Sequence, residues 1–323
     1  MKRHFTAAML LMVACVRPEQ HATSLSANEH RTDSPALFAE GIISTGDYET
    51  HPAFSPSGDT VYFLKCSPDM NSCAICVSYH RGGNWSIPEL MPFSGQYVDV
   101  DPFLTKDGNT LYFVSDRPVH EGDSARADWD IWKTERTAGG WGSPVHLDTI
   151  INSSENEFYP TVADNGNLYF GSGRKGGRGA SDIYCSRQVN GRFTTPENLG
   201  DSINTADNEY EPFIAPDEGY LVFMATIPRG LINGDLYVSV RRSGSWTKAR
   251  KLPTPFNSAA TEWSPKVTRD GRYFFFGSTR NRIKGTLPQR ESLRQLETRI
   301  NKAGNGLGDI YYIDFAQLEK QWK

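Results

Sequence analysis

The feature that most constrains this chain is a repeat. An acid stands three residues before a proline in five places: Glu49 before Pro52, Asp99 before Pro102, Glu157 before Pro160, Glu209 before Pro212 and Glu262 before Pro265. The prolines lie 50, 58, 52 and 53 residues apart. Each is followed by a short apolar stretch, a turn glycine (Gly58, Gly108, Gly166, Gly219 or Gly271) and an aromatic strand: Val61 to Phe63, Leu111 to Phe113, Leu168 to Phe170, Leu221 to Phe223 and Phe274 to Phe276. Glycine after a polar residue between two apolar runs marks a tight hairpin. A third strand opens at Asp130, Asp182, Asp235 and Asp309. A fourth carries an aromatic and then an apolar residue, as in Trp85 with Leu90, Trp141 with Leu147, Phe193 with Leu199 and Trp246 with Leu252.

Repeats of this period mean stacked units, and four antiparallel strands per unit with a fixed connection to the next mean blades around a channel. The fold class expected is all-β, a five-bladed β-propeller, with six blades as the alternative. At 323 residues the chain exceeds what one ordinary core supports, which suits cores distributed between blades. The fifth unit stops after its third strand. Pro35 to Phe38 resembles the missing outer strand, so the beginning of the propeller is expected to close its end and leave no free edge. Leu293, Leu296 and Ile300 recur at helical spacing in an insertion of the last blade, with Pro288 at the start and Gly304 as a stop. A short helix is expected there, its apolar stripe packed on the propeller.

The amino terminus reads as an export signal. Met1 to His4 is basic, Phe5 to Ala14 is apolar, and Cys15 after Met12 to Ala14 resembles a bacterial lipobox with Met where Leu is usual, which makes Cys15 a candidate for lipidation. The alternative is a plain secretory signal. Residues 16–34 read as a flexible tether, 35–315 as the propeller and 316–323 as a tail. The apolar run is too short to span a bilayer, so membrane contact is expected only through a lipid anchor. The expected localisation is periplasmic or anchored at the outer membrane, and the chain is expected to be a monomer.

The strings Asp107 to Arg117, Arg174 to Tyr184 and Asn198 to Asn204 resemble the WD-like propeller repeats of TolB-type periplasmic proteins, above all those joined elsewhere to OmpA-like domains. The resemblance spans about residues 36–315 and implies the fold and a binding role without naming a ligand. No OmpA-like domain is expected after Lys323, so peptidoglycan anchoring is not carried over from the resemblance.

The acids Glu49, Asp99, Glu157, Glu209 and Glu262 each follow a small polar residue by five positions: Ser44, Ser94, Asn152, Asn204 and Asn257. This pattern fits a hydrogen-bonded connector between blades, although a ring of acids at a channel mouth could also hold a cation or a sugar. Arg117, Arg174 and Arg280 are expected to pair with Asp130, Asp182 and Asp309. Blade one lacks both partners and carries Cys66 and Cys73 instead. A disulfide there is expected, with Cys76 as the other partner to consider. A thiol metal site at Cys66, Cys73, Cys76 and His80 is a weaker reading, and no metal or cofactor is expected. Cys185 reads as a free thiol.

The loops from second to third strands vary most and share one face with the blade connectors, which makes that face the recognition surface. A net charge of −4 argues against nucleic acid. The loops of blades three to five are locally basic, and Arg174, Lys175, Arg178, Arg280, Arg282, Arg290 and Arg294 are the binding candidates. The partner they imply is an envelope protein or an anionic glycan. No nucleophile elbow, zinc-protease helix or phosphate cradle is present, so no catalytic residue is assigned. The enzymatic alternative is a glycoside hydrolase using the channel carboxylates Asp101, Glu157 and Glu211.

Overall fold

A computed structural model describes residues 32–120, 122–226, 234–283 and 285–323. The candidate export signal with Cys15, most of residues 16–34, Glu121, residues 227–233 and Lys284 lie outside them. The described chain forms five antiparallel blade sheets and one two-stranded ribbon, Gln188–Val189 with Arg192–Phe193. Their inner strands are Tyr48–Phe54, Asp99–Leu104, Glu157–Val162, Asn208–Ile214 and Glu262–Val267. Second strands follow at Thr60–Cys66, Thr110–Ser115, Leu168–Ser172, Tyr220–Thr226 and Tyr273–Ser278, and third strands at Cys73–Arg81, Asp130–Thr137, Asp182–Ser186, Asp235–Arg242 and Asp309–Asp314. The expected five blades are all present.

The fifth blade takes its outer strand from the amino-terminal end. Ala36–Leu37 pairs with Tyr312 and Tyr311, and Phe38 N–H donates to Ile310 O at 2.9 Å. Phe38 is fully buried and meets Phe54, Trp85 and Phe275 edge-on. One aromatic side chain thus joins the closing strand to both the first and the last blade, and burying it contributes about 1.5–3 kcal/mol to closure.

Each inner strand is broken by a bulge at the proline. The register shifts between Thr50 and Ala53, Val100 and Phe103, Phe158 and Thr161, Tyr210 and Phe213, and Trp263 and Lys266. Proline has no N–H for the ladder and disfavours the right-handed helical region for its predecessor. The predecessor instead takes a positive φ in every blade: His51 56°, Asp101 56°, Tyr159 48°, Glu211 52° and Ser264 47°. For a residue other than glycine such a backbone costs on the order of 1–3 kcal/mol. Its fivefold recurrence places five side chains of different chemistry at the same height in the channel.

Two features depart from the sequence reading. The inserted helix Leu293–Ile300 forms, but its cap is the Ser292 and Gln295 capping box, and it buries none of its residues. Leu293, Leu296 and Ile300 are 69%, 37% and 43% exposed, so the apolar stripe does not pack on the propeller. The helix is held by its own ends: Arg299 pairs with Glu291 at 2.7 Å, and Asn305 Nδ2 donates to Gly46 O at 2.9 Å. The carboxyl-terminal segment also folds. Phe315–Glu319 is a helix with Leu318 fully buried, and Trp322 stacks on Tyr220 at 5.0 Å.

Candidate binding site

The five acids before the prolines are all fully buried. In four blades the acid binds the residue four positions earlier through both its hydroxyl and its N–H. Thr45 Oγ1 donates to Glu49 Oε1 at 2.6 Å and Thr45 N–H to Oε2 at 2.9 Å; Ser153 with Glu157, Thr205 with Glu209 and Ser258 with Glu262 repeat the pattern. The small polar residue five positions before the acid has a different task. Asn152, Asn204 and Asn257 each bridge the N–H and the C=O of one third-strand residue, Ile131, Ile183 and Leu236. The connector therefore splits its work: the amide pins the blade just finished while the carboxylate holds the turn into the next.

The arginines after the second strands go to these connector acids and not to the third-strand acids. Arg117 bonds Asp99, Arg174 lies 3.2 Å from Glu157, and Arg280 lies 3.1 Å from Glu262. The expected pairing with Asp130, Asp182 and Asp309 is absent because those acids are engaged locally. Asp130 is 2.6 Å from His146, Asp182 accepts from Gly179 N–H and Asn198, and Asp309 accepts from Gly304 N–H. Arg174 and Arg280 also donate to the backbone carbonyls of Ile151 and Pro255 and are half-buried, so neither lies free on the loop surface. Lys175, Arg178, Arg282, Arg290 and Arg294 remain exposed.

Blade one solves the same problem differently. Its acid, Glu49, pairs with Lys65 at 3.2 Å, and its second and third strands are stapled by a Cys66–Cys73 disulfide whose residues face each other in the ladder. With two of the three thiols joined, the metal reading of this segment loses its ligands, and no metal-binding cluster exists among the described residues. Cys76 and Cys185 are free, and burial pushes the Cys185 thiol up to about 11.

The channel holds the most unusual chemistry. His51 Nε2 lies 3.1 Å from Asp101 Oδ1 and 3.4 Å from Glu211 Oε1, with His51 almost fully buried. Burial opposes the imidazolium, but the two carboxylates outweigh it and hold its pKa at about 9. The second oxygen of each carboxylate is also taken: Tyr159 N–H donates to Asp101 Oδ2 at 2.8 Å, and Ser264 N–H donates to Glu211 Oε2. Tyr159 OH crosses the channel to Pro265 O at 2.8 Å. The five positive-φ residues thus form a bonded belt that joins all five blades across the axis.

The belt divides the channel into two cavities. Towards the loops that join second to third strands lies one of about 250 Å³, floored by His51, Asp101 and Glu211. Its walls are half-buried and apolar: Trp129, Phe158 and Tyr210, with Met70 and Met224. Towards the tight hairpins lies one of about 350 Å³ that includes Phe103, Phe213 and Lys266. Of the carboxylates singled out in the sequence, Asp101 and Glu211 meet at the first floor. Glu157 does not; it is a connector acid. His51 and Lys266 were not singled out, and both occupy repeat positions where other blades carry different chemistry.

No protein-family model and no curated protein matches this chain. Among solved structures, an α-L-arabinofuranosidase from Lactobacillus brevis is 13% identical, with a TM-score of 0.50 over 84% of this chain and 91% of that one. A putative TolB from Agrobacterium tumefaciens is 16% identical, with a TM-score of 0.47 over 83% of this chain and 90% of that one. The arabinofuranosidase PaAbf62A from Podospora anserina, determined with cellotriose, is 10% identical, with a TM-score of 0.45 over 88% of this chain and 94% of that one. At these identities likeness speaks to fold alone, and the fold is a β-propeller.

Proposed function

We propose that this protein is a non-enzymatic binding propeller of the cell envelope, and that it takes one ring of an anionic glycan into the loop-side mouth of its channel. The observation that carries the reading is the mouth itself, with three half-buried aromatic rings around a polar floor that is already fixed. Apolar walls with a few convergent polar groups are what a small-ligand site requires. Aromatic faces suit the C–H faces of a sugar, and the bonded floor closes the mouth beneath them. The exposed cations Lys175, Arg178, Arg282, Arg290 and Arg294 stand on loops of the same face and would attract an acidic chain. The disulfide agrees with an exported protein in an oxidising compartment.

A hydrolase remains the second reading because Asp101 and Glu211 both lie within 3.4 Å of one nitrogen at the foot of a sugar-sized cavity. Binding is preferred because all four carboxylate oxygens hold other blades in place. A general acid must surrender its proton to the substrate, and a base or nucleophile needs a free oxygen. The test is to incubate the protein with acidic envelope glycan fractions and measure both retention and reducing-end release. Retention without release, lost in Trp129→Ala, is expected. Release that disappears in Asp101→Asn and Glu211→Gln would establish the hydrolase instead.

A further inference from the structure

The hairpin-side cavity is a separate matter from the loop-side mouth, and it does not depend on that reading. Two residues beyond each belt residue the inner strands carry Ala53, Phe103, Thr161, Phe213 and Lys266. Four blades fill this layer with small or apolar side chains, whereas the fifth places an amine there. Lys266 is 4% exposed and lines the 350 Å³ cavity. Its Nζ lies 3.9 Å from the ring centre of Tyr159 and 5.1 Å from that of Phe103. Among the described residues no hydrogen-bond acceptor or counter-ion reaches it, whereas even the buried acids without a counter-ion, Asp182, Glu209 and Asp309, accept hydrogen bonds.

The groups facing Lys266 are accounted for. Asp101 and Glu211 attract it from the belt but have given their oxygens to His51 and to two backbone N–H groups. Tyr159 has donated its hydroxyl to Pro265 O. At the rim Arg269 holds Asp164 through two bonds of 2.6 and 2.7 Å, Lys106 Nζ donates to Asp164 O, and Asp107 accepts from Thr105 and Asn109. Burial pushes the Lys266 ammonium down to about 7, against the pull of the two belt acids. A buried amine with only the Tyr159 ring against it, opening onto a chamber in which Phe103, Val162 and Phe213 stand beside a polar rim, is a charge site awaiting an anion.

We propose that the hairpin-side cavity is a second ligand site, which takes a small molecule with an apolar body and a single carboxylate that pairs with Lys266. The rings of Phe103 and Phe213 cover the body, and Lys266 selects the head group. Binding draws a proton onto the amine, because an adjacent carboxylate favours the ammonium.

Calorimetry on the full chain with 2-naphthoate and its neutral analogue 2-naphthamide tests this. Wild type is expected to bind the carboxylate at least about tenfold more tightly, the lower range for a charge-assisted pair. Near pH 8 binding should take up a proton, read from the dependence of the heat on buffer ionisation. Lys266→Met should abolish the preference, while Trp129→Ala on the opposite mouth should leave it unchanged. Equal affinity for acid and amide, no binding of either, or a preference that survives Lys266→Met would overturn the proposal. If Lys266→Met does not fold, proton uptake by wild type decides the matter alone, and its absence counts against the site.

Discussion

His51 of the first blade reaches across the channel axis to Glu211 of the fourth, 3.4 Å away, while also holding Asp101 of the second at 3.1 Å. A single imidazolium thereby ties together three blades that no ladder connects. Its loss leaves the buried Asp101 and half-buried Glu211 carboxylates facing each other, and breaking a largely buried ionic cluster by removing one member costs about 3–5 kcal/mol. His51→Ala is expected to lose that much in urea denaturation, and adding Asp101→Asn with Glu211→Gln should recover part of it.

Lys266 acts on stability in the opposite sense. Its amine titrates at about 7 in the folded state against an ordinary value of 10.5, so between these the unfolded chain binds the extra proton and folding gains as pH rises. Lys266→Met removes this dependence. The mutant should gain most over wild type at pH 7 and below, with the advantage shrinking by up to ~1.4 kcal/mol per pH unit above that. Denaturation of both proteins at pH 6, 8 and 10 measures it; a constant difference would contradict the buried, unpaired amine.

The three connector arginines should differ in importance. Glu157 and Glu262 keep a serine hydroxyl and an N–H if Arg174 or Arg280 is removed. Asp99 has Gly95 at that position and depends on Arg117, whose side chain is also nearly buried. Arg117→Ala is therefore expected to cost about 3–5 kcal/mol, and Arg174→Ala or Arg280→Ala about 1–2 kcal/mol. Thermal unfolding of the three variants ranks them.

Asp309 gives a prediction with a pH signature. It is fully buried, and burial raises its pKa to about 7 even though Gly304 N–H donates to one oxygen. A carboxyl raised above its unfolded value folds without penalty only below the ordinary value of 3.8; the penalty grows as pH rises from there to about 7 and is constant above it. Asp309→Asn should be closest to neutral at about pH 4, increasingly stabilising up to pH 7 and no more so at pH 8, as followed by urea midpoints.

The Cys66–Cys73 staple closes a short loop, so the chain-entropy estimate of its worth is modest, about 2 kcal/mol. Cys66→Ser with Cys73→Ser should lower stability by that amount and leave the other four blades intact. Matching loss on adding reductant to wild type checks that the bond is the cause.

The blades, the closing strand and the disulfide were legible in the sequence because each depends on a local pattern repeated in phase. Ala36 and Leu37 could be placed because the last unit lacked a strand and they matched it. Charge pairing was less legible. Arg117, Arg174 and Arg280 follow strands whose direction is plain, but a guanidinium on a long stem can turn either to the third strand or to the connector, and sequence carries no signal for which. The channel site was half visible. Asp101 and Glu211 stand out against Tyr159 and Ser264 at one repeat position, and the same comparison would have flagged His51 and, two residues on, Lys266. The exposed stripe of Leu293, Leu296 and Ile300 shows the limit of periodicity, which finds a helix without saying what covers it.

Hydrogen exchange of the whole chain with and without bound acidic envelope glycan tests the recognition face most directly. Slowed exchange is predicted in segments 67–72 and 116–129 and in the inner-strand starts around Phe158 and Tyr210, with the hairpins at 56–58 and 164–167 unchanged. Protection confined to those hairpins or to the outer strands, with the loop-side mouth exchanging as in the free protein, would contradict the account.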